Sequence, residues 1–98
     1  MEATIRWKKS AVSQFAKAVK YIEKDSPINS EKFEKEILKK IDGLLSRPER
    51  YPPDKYKTNN DGSYRAFEIL GYRISYRFTQ DQIRIFRLRH TSMSPLNY

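Results

Sequence analysis

The chain contains no cysteine in its 98 residues, so neither a disulfide framework nor a thiolate metal site is available. Histidine occurs once, at His90, which excludes a His-rich metal cluster. No apolar run approaches the roughly 20 residues that a membrane span requires, and the opening stretch "MEATIRWKK" lacks the apolar segment of a signal peptide. A soluble cytoplasmic protein that uses no metal and no cofactor is the expectation. Glycine is scarce, at three residues, and no low-complexity tract accompanies the five prolines, so a disordered tail is not expected. Ninety-eight residues suffice for one core and are too few for two, which makes 1–98 a single domain.

Negative charge is the other scarcity, and it is local. The net charge of +8 comes from 20 Lys and Arg against 12 Asp and Glu, a balance that suits a polyanionic or acidic partner. All eleven lysines lie at or before Lys57, mixed with most of the acids, as on a solvated helix surface. Beyond position 61 the basic residues are six arginines, and the only acids are Glu68 and Asp81. Arginine without lysine suggests planar, two-pronged recognition of phosphate or carboxylate.

Hydrophobic spacing then gives the elements. "ATIRW" (3–7) is short and rich in strand formers. From Ser10 to about Lys24, Val12, Phe15, Ala16, Val19 and Ile22 recur at helical spacing, with Ser10 as the expected N-cap. "DSPINS" breaks the pattern, and either Ser26 before Pro27 or Ser30 before Glu31 can start a second helix. Its stripe is Phe33, Ile37, Leu38, Ile41, Leu44 and Leu45, and it ends by Pro48. "YPPDKYKTNNDGS" (51–63) reads as a loop, followed by strands at 64–70, 72–79 and 82–90. Connections this short cannot cross over, so the predicted fold is α+β in the order β-α-α-β-β-β. An antiparallel sheet is expected, with a helical hairpin packed on one face.

The length of the last turn decides which side chains line the other face. A two-residue loop at Gln80 and Asp81 sets Tyr76 opposite Ile85 but drives Arg87 into the apolar face opposite Ile74. A three-residue loop through Gln82 sets Tyr76 opposite Phe86, Ile74 opposite Leu88, Ser75 opposite Arg87 and Arg73 opposite Arg89. The second register is expected, because it buries Ile74, Tyr76, Phe86 and Leu88 together and gathers Arg73, Arg87 and Arg89 on the open face. It leaves Ile83 and Ile85 on the same face as Arg77, which a bulge or cover by the C-terminal tail would account for.

The element order together with "RPERYP", "DGSYRAFE", "YRISYRF" and "IRIFRLRHTSMSP" resembles the RelE/ParE superfamily of type II toxin–antitoxin toxins. The resemblance covers nearly the whole chain, and the last motif is its most specific part. It implies a toxin, of the kind tied to plasmid stabilization and growth arrest, neutralised by a cognate acidic antitoxin that wraps over the basic face. It also implies one of two activities. RelE-type members are ribosome-dependent endoribonucleases that cut mRNA without metal; ParE-type members share the fold and inhibit DNA gyrase. A member that only binds its antitoxin is a third reading.

The nuclease reading stands first, and it assigns residues. Metal-free RNA cleavage needs a base for the 2′-hydroxyl, cations for the phosphorane-like transition state and an acid for the leaving oxygen. By resemblance, Arg73 matches the strand arginine at the scissile phosphate, Arg65 falls near a catalytic lysine, and Tyr98 resembles the late aromatic of several nucleases. His90 is the one imidazole, a residue type suited to proton transfer, although at a strand end before "TSM" it also suits a bracing role. Lys55, Lys57, Arg77, Arg87 and Arg89 would hold RNA or the antitoxin. Glu68 alternates away from Arg65 and is a poor general base for it.

Overall fold

A computed structural model describes residues 3–98; Met1 and Glu2, the start of the expected domain, lie outside the described residues. Its elements are β1 (Thr4–Trp7), α1 (Lys9–Asp25), α2 (Pro27–Asp42), β2 (Tyr64–Ile69), β3 (Tyr72–Thr79) and β4 (Gln82–His90). A single 3-10 turn, Gly43–Leu45, follows α2. The α+β order and the helical hairpin on one face are those read from the sequence.

The local signals explain most boundaries. Ser26 caps α2, its hydroxyl accepting the Asn29 N–H at 3.2 Å with Pro27 in the first turn. Ser30, the alternative cap, is buried one turn later and donates to the Pro27 carbonyl at 2.8 Å. Ser10 does not cap α1: Lys8 holds that position without a side-chain bond, because the Lys8 N–H still belongs to the sheet through the Ile85 carbonyl at 2.9 Å. The buried face of α1 is rotated from the expected one. Ala11 and Ala18 are its buried residues, while Val12 is half exposed. Alanine on that face lets α1 lie close across β4.

The sheet order is β1-β4-β3-β2. β2, β3 and β4 form the antiparallel meander, but β1 pairs parallel to β4, so the sheet is mixed rather than wholly antiparallel. β1 is joined to β4 only through the helix pair, the loop and the β2–β3 hairpin, so no tight turn forces the two strands antiparallel. Trp7, Phe15, Phe33 and Tyr72 then pack ring to ring at 5.6, 6.1 and 5.2 Å, joining β1, α1, α2 and β3 into one core.

The turn between β3 and β4 corrects the expected register. It has two residues, Gln80 and Asp81, with Thr79 opposite Gln82 and Tyr76 opposite Ile85. Gln80 sits at φ 53°, the left-handed conformation such a tight hairpin turn demands. Between Ser75 and Tyr76 the register shifts by one, so that Ile74 faces Leu88, Ser75 faces Arg87 and Arg73 faces Arg89. Phe86 is the extra residue. Each half of β4 thus follows one of the two registers that the sequence allows, and a β-bulge joins them. Ile83, Ile85 and Leu88 all reach the core, whereas Phe86 stacks on Tyr64 on the open face at 5.5 Å.

The bulge makes a direct prediction. Phe86→Ala is expected to cost under about 1.5 kcal/mol, since the ring is only partly covered, whereas Ile85→Ala costs about 2–5 kcal/mol. Urea denaturation of both variants checks this, and equal large losses would place Phe86 in the core.

Candidate functional site

Asp54, in the loop before β2, organises the open face. Its side chain is almost fully buried and takes three donors: Arg73 Nη2 at 2.7 Å, the Tyr98 hydroxyl at 2.6 Å and the Tyr56 N–H at 3.1 Å. The loop is held in turn by Asn60, whose amide donates to the carbonyls of Asp54 (3.2 Å) and Tyr64 (2.8 Å). The Asp54 N–H donates to the Tyr64 carbonyl at 2.8 Å. A segment rich in turn residues is therefore rigid, with its backbone groups satisfied by its own side chains.

Arg73 is held on several sides by this arrangement. Besides Asp54 it meets Glu68, its cross-strand partner, at 3.2 Å, and its guanidinium lies 4.9 Å from the Tyr56 ring centre. Its Nε is buried without a hydrogen-bond partner among the described residues. Arg73 and Arg89 face each other across the strands, as the sequence register has it. Like charges in that relation repel, and Asp54 with Glu68 offsets the repulsion.

The segment after β4 folds back over this face. Arg89 Nε donates to the Ser94 carbonyl at 3.0 Å and Arg87 Nη1 to the Leu96 carbonyl at 3.4 Å. Tyr98 N–H donates to the Tyr56 carbonyl at 3.0 Å, and the Thr58 N–H donates to the Tyr98 carbonyl at 2.6 Å. Tyr98 also lies under the Arg87 guanidinium at 4.6 Å. Burial raises the Tyr98 phenol pKa, its bond to Asp54 raises it further, and the group stays a donor.

Arg65 and Arg73 are not brought together. Arg65 pairs with Tyr76 on the core-facing parity of the sheet, and its guanidinium donates to the carbonyls of Gly62 (3.0 Å) and Tyr51 (2.7 Å). It ties the loop to β2. The Tyr76 hydroxyl beside it donates to the Pro48 carbonyl at 2.6 Å, and burial pushes that phenol up to about 12. His90 also faces away from Arg73. Its Nδ1 is 2.6 Å from the Ser92 hydroxyl and accepts the Ser92 N–H at 3.0 Å, and its ring meets Tyr72 edge-on at 4.9 Å.

Of the remaining candidates, Lys57 lies over Tyr64 at 4.7 Å and Arg77 over the same ring at 4.6 Å. Arg77 also donates to the Ser63 hydroxyl at 3.0 Å and stands 3.9 Å from Asp61. Lys55 is exposed and lies 5.3 Å from the Tyr56 ring. Among the described residues no three His, Asp or Glu side chains converge as metal ligands, and no helix is long and apolar enough to cross a membrane.

Burial opposes ionisation of Asp54, but its bonds from Tyr98, Arg73 and the Tyr56 N–H outweigh that and hold the carboxyl below its usual value. Such a group stabilises the fold above its unfolded pKa of about 3.9, and the contribution is lost as pH falls through the lower folded value. Tyr76 and Tyr98 work in the opposite sense. Their contribution is complete below about pH 10 and fades as pH rises toward their raised folded values. Asp54→Asn is expected to cost about 1–3 kcal/mol at neutral pH and to flatten the acid limb of a Tm-against-pH profile. An unchanged acid limb would remove Asp54 from its central position.

Comparison with known proteins places this geometry in a family. The model for the ParE toxin of the type II toxin–antitoxin system, parDE, matches residues 5–95. Among solved structures, a chain of the chromosomal ParDE system from P. aeruginosa superposes with a TM-score of 0.71 at 14% identity, covering 91% of this chain and 96% of its own. At that identity the likeness shows the fold alone. No curated protein matches the chain. With nearly its whole length matched by the family model, the chain belongs to the ParE toxin family of type II toxin–antitoxin systems.

Proposed function

We propose that the protein is an antitoxin-neutralised toxin that acts by binding DNA gyrase rather than by cutting mRNA. The observation that carries this reading is that Arg73 and Tyr98, assigned to cleavage, are tied to one buried carboxylate, while Arg65 and His90 lie away from them. Arg73 is held by Asp54 and Glu68, and Tyr98 donates to the same carboxylate. His90 is bonded to Ser92, and Arg65 lies on the other face of the sheet, bonded to main-chain carbonyls. Both carboxylates beside Arg73 are already engaged, Asp54 by three donors and Glu68 by the Arg73 guanidinium itself at 3.2 Å, so neither is poised to take a proton from a 2′-hydroxyl. These contacts instead brace the strands and the closing segment, which suits a rigid surface that works by docking.

The antitoxin has a separate place to bind. β1 covers β4 only along Gln82–Ile85, so the edge from Phe86 to His90 is open toward α1. A groove of about 1070 Å³ runs along that edge, between Gln14 and Tyr21 of α1 and Met93 and Leu96 of the closing segment. One edge donor, the Leu88 N–H, is satisfied by the Gln14 side chain at 2.9 Å. An extended acidic segment can add there as a strand, displacing Gln14, with Lys8, Lys17 and Arg87 beside it.

Two measurements test the reading. Controlled expression followed by mapping of mRNA 5′ ends, alongside a supercoiling assay with purified gyrase, is expected to show blocked supercoiling and intact mRNA. Cleavage between codon positions would instead support the ribosome-dependent nuclease. For the antitoxin, Lys17→Glu with Arg87→Glu is expected to weaken binding at least tenfold at low salt and less at high salt, through lost screening-sensitive attraction. A salt-independent loss would count against an electrostatic groove.

A further inference from the structure

The register of the sheet aligns Arg6, Arg84 and Arg77 side by side on β1, β4 and β3, and continues the row to Tyr64 on β2. All three guanidiniums belong to the open face. Arg6 lies exposed between the core-packed Ile5 and Trp7, and Arg84 lies exposed between the fully buried Ile83 and Ile85. Arg77 alternates with buried Tyr76 and core-packed Phe78. Neighbouring strands are about 4.8 Å apart, so the row spans on the order of 10 Å. Like charges set directly opposite each other on a sheet destabilise it, and here two such pairs adjoin.

The row differs from the arginines at the other end of the face. Arg73 has Asp54 and Glu68, while Arg87 and Arg89 reach carbonyls of the closing segment. Arg6 and Arg84 have no acidic partner among the described residues, and Arg77 has only exposed Asp61 at 3.9 Å. None of the three lines the groove along the β4 edge. Arg73 is four residues from Arg77 on β3, about 13 Å away, so the two ends of the face are separate sites.

We infer that Arg6, Arg84 and Arg77 form a contact site for the phosphate backbone of duplex DNA. A row in which Arg6 and Arg84 have no acidic partner among the described residues and Arg77 has only the exposed Asp61 at 3.9 Å presents guanidiniums in line to a polyphosphate backbone, each contact able to be two-pronged and to release a counterion. The aromatic rings beside the row decide between duplex and single strand. Tyr64 already carries Arg77 and Lys57 over its ring, Phe86 is stacked on Tyr64 with Arg84 at 5.7 Å, and Tyr98 carries Arg87. Rings occupied in this way leave no platform on which an unstacked base would lie, which a single strand would need. Phosphates are recognised and bases are not.

The test is fluorescence anisotropy of the full chain with a labelled 20-base-pair duplex, with the matching single strand and polyglutamate as competitors, over a range of salt. The duplex is expected to bind in preference to both. Each of Arg6→Gln, Arg84→Gln and Arg77→Gln should lower the slope of log affinity against log salt by about 0.9, and the triple variant should bind at least tenfold more weakly near 0.1 M salt. Thermal unfolding controls for folding, and Arg84→Gln is expected to hold or raise the Tm because it relieves both like-charge pairs. The assignment is overturned by a triple variant that stays folded and keeps the wild-type slope, or by preference for the single strand or for polyglutamate. Gyrase inhibition by a chain that does not bind duplex would leave the proposed function standing and remove this site.

Discussion

One extra residue in β4 governs both faces of the sheet. A strand with period two cannot carry Ile83, Ile85 and Leu88 to the same side, since the step from 85 to 88 is odd. The bulge at Phe86 absorbs that step. With it, the aliphatic side chains of both halves of β4 meet the helices, and arginines of both halves meet solvent. Without it, one half of the strand would turn its arginines into the core, where an unpaired charge costs more than any nearby contact returns. The core and the basic face are thus two results of the same local irregularity.

This constraint also marks how far the sequence could be read. Strand and helix positions follow from spacing, and β3 and β4 begin and end where the alternation does. The two candidate turns between them were each right for half of β4. The conflict left at Ile83 and Ile85 was the visible sign that neither register alone would serve. The parallel attachment of β1 had no such sign, because four residues of alternating pattern carry no information about direction.

The organising carboxylate was harder to see. Asp54 lies in a stretch with two prolines and two asparagines, where an aspartate reads as a turn former. Its partners Arg73 and Tyr98 are 19 and 44 residues away. A hint was nevertheless present in the scarcity of acids after position 61, because a face of arginines with so few late acids has to draw its counter-charge from earlier in the chain. The same geometry changes the meaning of Arg73. From sequence it is a cation waiting for phosphate; in the fold it is the link between a loop carboxylate and a strand glutamate, and the closing segment rests on that link.

The parallel pairing of β1 with β4 has a consequence for synthesis. Residues 4–7 find their partners only at 82–85, so during translation the first strand must wait until nearly the entire chain has left the ribosome. Contacts of such long sequence separation also form late when the chain folds alone. Until then the apolar side chains of both helices lack the completed sheet that covers them. A nascent chain of this topology therefore passes through an interval in which it is exposed but unfinished, and a binding partner made alongside it can reach it before its own last strands close.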